Sequence, residues 1–299
     1  MRRFPDAMAR AQAKSKAAAY LELTKPGIIR LVLVTTVIGF ALGGEGVTRW
    51  GLLLWTLLGT SLGSAGAFVL NHYFERDADA LMDRTKNRPI PSGLVSPRSA
   101  LILGPILTVL GTAQLWVTVN PLTALLVFLT AALYVFVYTP LKRYSWVNTP
   151  VGAIPGAIPP VIGWAAATGR VDTGALVLFL ILFLWQHPHF YALAWMYRED
   201  YEKGGFKMLP VVDPDGKSTF RHSLATAILL VPVSLWPTFV KTSGLIYFWG
   251  ALVLGVLFVL VCVRWRMNKT VQAAKAVFLY SLFYWVFLLV FIVVDAYFY

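Results

Sequence analysis

Three oxygen-bearing side chains recur every four residues just after a long apolar run. Asn71, Glu75 and Asp79 have this spacing, and they follow residues 50–70, which carry no charge. Four residues advance an α-helix by about 400°, so the three side chains would lie nearly above one another, roughly 6 Å apart. Carboxylate and amide oxygens are the ligands that Mg²⁺ prefers. The spacing therefore predicts a magnesium site at the end of a helix.

Basic residues follow these oxygen donors closely. Arg84, Lys86 and Arg88 come next, and Pro89 and Pro91 then end the helical pattern. Acids that hold a metal, with bases beside them, suit a ligand that is itself a polyanion, such as a diphosphate. The alternative interpretation is a solvated loop whose charges only keep the helix end in water.

A second charged segment follows an apolar run that contains two histidines. His187 and His189 flank Pro188, which removes a backbone hydrogen bond and is expected to kink the helix. Ionisable groups at membrane depth are expensive, so both histidines are functional candidates; the alternative is that they hydrogen-bond and pack the kink. We expect Asp200 to contribute to the metal site from this segment. The charged residues that follow the run are Arg198, Glu199, Asp200, Glu202 and Lys203.

Tyr138 and Lys142 form a third candidate pair, four residues apart with Pro140 between them, at the end of another apolar run. A lysine in such a place usually extends to the lipid headgroups. Lys142 could equally reach a diphosphate oxygen, and the residues alone leave both roles open.

The composition is that of a polytopic membrane protein. Of the 299 residues 58% are hydrophobic and only 13% are charged, with a mean hydropathy of +0.67, whereas a soluble domain carries about 25% charged residues. The single cysteine excludes a disulfide framework. We predict an all-α fold with nine membrane-spanning helices. The apolar runs long enough to span lie at about 28–43, 50–74, 99–119, 121–139, 149–168, 174–196, 222–240, 244–263 and 275–298.

The basic residues are distributed unevenly between the two sides of this predicted topology. Of the 26 Lys and Arg, 23 lie in segments 1–30, 76–98, 142–143, 198–221 and 264–275. The other three are Arg49, Arg170 and Lys241. This asymmetry places the N-terminus in the cytoplasm. The net charge of +12 then reflects topology and attraction to membrane lipid, and it requires no nucleic acid. We predict a basic cytoplasmic tail at 1–27, a single transmembrane domain at 28–299, and a bacterial inner membrane rather than a mitochondrial one.

The motifs together resemble a known family. Asn71, Glu75 and Asp79, followed by Arg84-Thr85 and Arg88-Pro89, are similar to the first Asp-rich motif of UbiA-type intramembrane prenyltransferases, and Tyr138 with Lys142 resembles their Tyr-Lys motif. Within that superfamily the chain resembles the branch that farnesylates heme b. The segments that carry this second likeness are Thr24-Lys25-Pro26, Pro188-His189-Phe190 and Met208-Leu209-Pro210.

The resemblance implies a nine-helix bundle around a central cavity, with Mg²⁺, farnesyl diphosphate and heme b as its ligands. It implies transfer of the farnesyl group to the 2-vinyl group of heme b, with a hydroxyl from water, to give heme O. Heme A synthase, which acts next on the way to heme A, is a candidate partner. Asn71, Glu75, Asp79 and Asp200 would hold the metal. Tyr138 would shield the farnesyl cation and His189 would contact the heme. The bases expected to bind the diphosphate are Arg84, Arg88, Lys142, Arg198 and Lys203.

Two positions depart from the family pattern. Quinone-type members carry an acid directly after the motif asparagine, where this chain has His72. Their second motif has two aspartates four residues apart, of which only Asp200 is clear here, so the number of metal ions stays open. Three alternative functions also stay open: the same fold acting on a quinone precursor or a chlorin, an assembly factor for an oxidase, and a transporter or heme carrier. A transporter should have ionisable groups near mid-membrane that both sides can reach, whereas these acids cluster at one face.

Overall fold

The computed structural model describes residues 15–44, 46–240 and 242–298, with the backbone alone at 296 and 297. Within these ranges all regular structure is helical. In chain order the helices are α1 (Lys16–Leu23), α2 (Pro26–Gly43), α3 (Trp50–Leu81), α4 (Pro97–Thr118), α5 (Pro121–Ala132), α6 (Thr139–Tyr144), α7 (Asn148–Ala157), α8 (Pro159–Thr168), α9 (Thr173–Met196), α10 (Arg198–Lys203), α11 (Leu209–Val212), α12 (Lys217–Phe239), α13 (Leu245–Asn268) and α14 (Val271–Phe298).

Nine helical segments in the described part of the chain are long and apolar enough to cross a membrane. They are α2, α3, α4, the continuous segment Pro121–Tyr144, the segment Asn148–Thr168, α9, α12, α13 and α14. The predicted all-α class and the nine spans are confirmed. The predicted second span ended at 74, whereas α3 runs for 32 residues to Leu81. At 1.5 Å per residue this is about 48 Å, longer than the roughly 30 Å hydrocarbon layer, so polar residues can continue the helix beyond it.

The predicted N-terminal tail is only partly described, because residues 1–14 lie outside the described ranges. The remainder includes α1, whose N-cap Ser15 accepts a hydrogen bond from the Ala18 backbone N–H. Ala19 and Leu23 of this helix are fully buried against Val69, in a cluster that also holds Ile90, Val95 and Ala100. The end of the tail therefore packs over α3 and the loop that follows it.

Helices α2 and α8 approach each other at two glycines. A Cβ built on Gly39 would overlap the carbonyl oxygen of Pro160, and one built on Gly163 would overlap the carbonyl oxygen of Thr36. Small residues let membrane helices pack backbone to backbone, where dispersion contacts replace the hydrophobic effect. This contact fixes α2, and with it the residue that precedes α2, relative to the rest of the bundle.

We expect Gly163→Ala to lower the thermal midpoint of the purified protein in detergent, because the added methyl group must push α2 away from α8. Overpacking of this kind costs about 1–3 kcal/mol. Gly51→Ala is the matched control, since nothing lies within 4 Å of a Cβ at Gly51. Equal midpoints for the two variants would contradict the close approach of the two helices.

Candidate active site

The last turns of α3 carry the three predicted oxygen donors on one buried face. Asn71 and Asp79 are fully buried and Glu75 is 5% exposed. Asp77, on the opposite face, has a side chain 71% exposed beside Arg76. The four-residue spacing thus gives a polar stripe that points into the bundle. We call Asn71, Glu75 and Asp79 the oxygen stripe.

Asp79 pairs with the arginine of the following loop. The Nη1 atom of Arg88 lies 2.8 Å from each carboxylate oxygen of Asp79. The backbone carbonyl of Asp79 accepts a hydrogen bond from the hydroxyl of Thr85, which is itself buried. The loop after α3 therefore folds back on the end of its own helix and delivers a base to the buried acid.

Glu75 pairs with the lysine of a different span. Lys142 Nζ lies 2.6 Å from Glu75 Oε1, and the two side chains are 12% and 6% exposed. The ammonium group also sits 4.5 Å from the ring centre of Tyr138 and 5.7 Å from that of Phe206. Lys142 points into the protein, so the lipid-headgroup role left open by the sequence does not apply in this structure.

Asn71 receives the third base. Lys25 Nζ donates to Asn71 Oδ1 at 2.6 Å, and Asn71 Nδ2 donates to the hydroxyl of Thr139 at 3.0 Å. That hydroxyl in turn donates to the carbonyl of Tyr134. An ammonium group can only donate a hydrogen bond, and the hydroxyl proton of Thr139 is already donated to Tyr134. The amide of Asn71 must therefore turn Oδ1 toward Lys25 and Nδ2 toward Thr139.

A π-helical segment at Leu133–Tyr138 brings Thr139 and Lys142 to the oxygen stripe. Pro140 has no N–H for the carbonyl four residues before it, and its ring crowds that carbonyl. The backbone N–H of Thr139 bonds instead to Tyr134, five residues back. Such π-bulges are frequent at functional sites because they rotate the side chains that follow.

Lys25 reaches the site through an unusual backbone conformation. Its φ of 51° and ψ of 60° are left-handed, which costs a residue with a Cβ roughly 1–2 kcal/mol. Burial first, and the nearby Arg88 guanidinium second, lower the pKa of Lys25 to about 7. Strained residues of this kind persist where the surrounding structure holds them, often at ligand sites.

The loop after α3 and the segment after α9 meet at the rim of the site. Both carboxylate oxygens of Asp200 accept backbone N–H groups, from Asp83 at 3.2 Å and from Arg84 at 3.1 Å. Lys203 Nζ lies 2.8 Å from Asp83 Oδ2. Hydrogen bonds from Lys203 and then Lys86 lower the pKa of Asp83 to about 2. The stabilisation that depends on the ionised carboxylate is thus present above about pH 4 and is lost as the pH falls through about 2.

Apolar and aromatic contacts reinforce this junction. Met82, Phe206 and Met208 share one buried cluster between the two loops. The guanidinium of Arg84 stacks over the rings of Tyr197 and Tyr201, at 5.2 and 5.7 Å from their centres. The backbone N–H of residue 207 in the second loop also donates to the carbonyl of residue 142. The second loop is therefore fixed against the first.

Three of the four predicted metal ligands are acids, Glu75, Asp79 and Asp200, and these three do not form one cluster in this structure. Among the described residues, no group of three or more His, Cys, Asp or Glu lies close enough together to hold a metal ion. Asp200 is engaged with backbone amides, so Glu75, Asp79 and the amide oxygen of Asn71 are the donors that remain. This set fits Mg²⁺, which is usually held by one or two carboxylates together with the phosphates of a substrate.

The hydrogen-bond and ring partners of the two α9 histidines in the described part of the chain do not include the oxygen stripe. His187 Nδ1 lies 2.7 Å from the carbonyl of Phe183, which can only accept a hydrogen bond, so Nδ1 carries the proton. His189 Nδ1 lies 2.7 Å from Ser281 Oγ, whose own proton goes to the carbonyl of Phe278. Both rings are therefore held as the Nδ1–H tautomer with a bare Nε2, the arrangement usual for an imidazole that binds a metal.

Three further residues concern the site, one predicted from the sequence and two not. Arg198 stacks over Trp195, 5.3 Å from the ring centre, and among the described residues no hydrogen bond or ion pair joins it to the oxygen stripe. Lys25 and Thr139 contact the stripe, although their residue types and spacing alone assign them no role. Two signals in the sequence point to them. One is a lysine shortly before the first apolar run, and the other is a hydroxyl residue between Tyr138 and Pro140.

The comparisons with known proteins define the class. A model of the UbiA prenyltransferase family matches residues 32–290. The chain belongs to the UbiA prenyltransferase family. Within it the chain is similar to proteins named protoheme IX farnesyltransferase. The protein from Solibacter usitatus is 46% identical over 274 residues, 89% of this chain and 94% of the relative. The protein from Aquifex aeolicus is 43% identical over 266 residues, 89% of this chain and 90% of the relative. The predicted resemblance is confirmed.

Solved structures share the fold. The digeranylgeranylglyceryl phosphate synthase structure matches with a TM-score of 0.77 at 19% identity, covering 94% of this chain and 98% of that one. A UbiA homolog from Archaeoglobus fulgidus bound to GPP and Mg²⁺ matches with a TM-score of 0.67 at 18% identity, covering 92% and 99%. At these identities the likeness defines the fold alone.

We expect Lys142→Met to destabilise the protein, because Glu75 is left as a buried charge with no partner. Breaking a buried pair in this way costs about 3–5 kcal/mol, whereas the double variant Lys142→Met/Glu75→Gln should recover most of the lost stability. The thermal midpoint in detergent measures both effects.

Lys86→Met is the matched control, since it removes a lysine from an exposed pair with side chains 52% and 61% accessible. Such pairs contribute about 0–1 kcal/mol. If the midpoint of Lys142→Met falls no further than that of Lys86→Met, the contact with Glu75 is not a buried ion pair.

Proposed function

We propose that this protein transfers the farnesyl group of farnesyl diphosphate to the 2-vinyl group of heme b and so forms heme O, a step toward heme A. The observation that carries the proposal is 46% identity over nearly the whole chain to a relative named protoheme IX farnesyltransferase. Heme A synthase, which would consume the product, is the candidate partner enzyme. We place the protein in the inner membrane of a bacterial cell. The Lys and Arg distribution supports a site on the cytoplasmic side of the membrane.

The buried site supports a ligand that carries both an anion and a divalent cation. Each donor of the oxygen stripe is paired with a separate base: Asn71 with Lys25, Glu75 with Lys142, and Asp79 with Arg88. A diphosphate would take the three bases as its hydrogen-bond donors. The freed stripe oxygens would then hold Mg²⁺. Buried charges stay paired throughout this exchange, which avoids the large cost of leaving any of them alone.

The chemistry that Mg²⁺ supplies when bound is neutralisation of the charge that develops on the leaving diphosphate. Lys142 and Arg88 would add to it as preorganised charges in a site shielded from water. Arg84 and Lys203, at the rim, are placed to attract the diphosphate as it enters. Asp200 stays a predicted ligand, on the charge pattern of its segment and on the family resemblance. Its contacts in this structure support a role in positioning the loop that begins at residue 83.

The reaction breaks the C1–O bond of farnesyl diphosphate and joins C1 to the terminal carbon of the vinyl group. A water hydroxyl then adds to the inner vinyl carbon, and diphosphate and one proton are released. The ring of Tyr138, already in contact with the Lys142 ammonium, is the candidate face for the allylic cation. For the acceptor, His189 is the candidate contact. Its ring is held between Trp185 and Phe278, with centroids 5.1 and 4.7 Å away, and its bare Nε2 stays free for the heme.

We expect purified protein with heme b, farnesyl diphosphate and Mg²⁺ to yield a heme whose mass has risen by a farnesyl and a hydroxyl group. Mass analysis of the extracted heme measures this product. Absence of the mass gain with heme b, together with prenylation of a quinone precursor or a chlorin, would assign the acceptor differently. No product with any acceptor would contradict a transferase function.

We expect Asp79→Asn and Glu75→Gln to lower heme O formation by at least about 100-fold, the scale on which lost transition-state stabilisation acts. Asp77→Asn is the matched control on the same helix, because its side chain is exposed on the opposite face. All three variants should still insert in the membrane. Wild-type conversion by Asp79→Asn would exclude the proposed role of the oxygen stripe.

A further inference from the structure

The ion pairs and hydrogen bonds of the buried site leave one of its residues, His72, without a role. The residue directly follows Asn71 on α3 and is only 2% exposed. Both ring nitrogens are buried, and neither has a hydrogen-bond partner in the described part of the chain. No other described side chain has two buried polar atoms in this state. Enclosed donors and acceptors that lack a partner are rare in proteins, and each one requires an explanation.

The position of His72 puts it on the same face as the oxygen stripe. It lies three residues before Glu75 and seven before Asp79, spacings that place side chains together on a helix. The positive charges of Lys25, Arg88 and Lys142 all act on its ring. The same three bases pair with the oxygen stripe, so His72 belongs to the same buried site.

The charges around the ring favour an anionic ligand. Three bases face two carboxylates here, and both carboxylates already have basic partners. An imidazole has at least one N–H donor at physiological pH, and no acceptor among the described residues takes it. Mg²⁺ prefers oxygen ligands over imidazole nitrogen. A phosphate oxygen therefore fits the ring better than the metal does.

We propose that His72 is a diphosphate-binding residue, whose ring N–H donates to a phosphate oxygen when the prenyl diphosphate displaces the three bases from the oxygen stripe. This inference rests on the proposed function, which supplies the diphosphate. It also gives a physical reason why this chain has histidine where quinone-type members carry an acid. A carboxylate after the motif asparagine would add a negative charge beside the diphosphate, whereas histidine adds a neutral or positive donor. The site can thus bind the same anion with fewer acids.

The probe is inorganic pyrophosphate with MgCl₂, added to the purified full-length protein in detergent, and the readout is the thermal midpoint. The wild type should be stabilised by the probe. His72→Leu removes the two enclosed nitrogens, so its midpoint without probe should lie above that of the wild type. Its affinity for the probe should be at least about tenfold weaker, the effect of losing one hydrogen bond to a charged group.

His72→Gln keeps an N–H donor, so its affinity for the probe should stay within about threefold of the wild-type affinity. A threefold change in affinity corresponds to less than half the binding free energy of a tenfold change. His222→Leu makes the same change at a histidine of α12, outside the site, and should leave the probe affinity unchanged. Equal probe affinity in His72→Leu and wild type overturns the inference and leaves the proposed function standing. No stabilisation of the wild type by the probe overturns both.

Should His72→Leu fail to fold, labelling with ¹⁵N-histidine gives a second readout. The chain has four histidines, and the ring signal that is missing in His72→Gln identifies His72. That signal should move when pyrophosphate and MgCl₂ are added to the wild type. A His72 signal that stays in place while the protein is stabilised by the probe also overturns the inference.

Discussion

The structure of this site depends on one constraint, that charges enclosed at the end of α3 must have partners. Removing a single partner from such a pair costs several kcal/mol. The chain meets the constraint with bases from three separate segments. Lys25 comes from the turn before α2, Arg88 from the loop after α3, and Lys142 from the helix after the π-helical segment. Each segment must therefore be held in place for the others to be stable, and the fold provides this.

The same constraint accounts for the irregular parts of the fold. The left-handed backbone at Lys25 and the π-helical turn before Thr139 both cost energy in isolation. Each one directs a polar side chain to Asn71. The close approach of α2 to α8 fixes the position of the first segment, and the junction between the loops at Asp83 and Asp200 fixes the second. Irregular backbone is thus concentrated where it serves the buried polar network.

Much of this could be predicted from the sequence, because the decisive signals are local. Long apolar runs define the spans, and the four-residue spacing of Asn71, Glu75 and Asp79 gives a single face on any helix. Contacts between side chains that are far apart in the sequence could not be predicted. The contact of Lys25 with Asn71 joins residues 46 apart and needs a left-handed turn that no residue type announces. The engagement of Asp200 with backbone amides depends on how two loops meet, and hydropathy and spacing do not encode that.

The central claim is that a diphosphate and a divalent cation exchange partners with the pairs present here. The most direct measurement is an experimental structure with Mg²⁺ and a non-hydrolysable farnesyl diphosphate analogue. We expect the Lys142 Nζ to Glu75 Oε1 distance, 2.6 Å in this structure, to lengthen beyond hydrogen-bonding range, with the lysine on a phosphate oxygen and the carboxylate on the metal. An analogue bound elsewhere, with this pair intact, would contradict it.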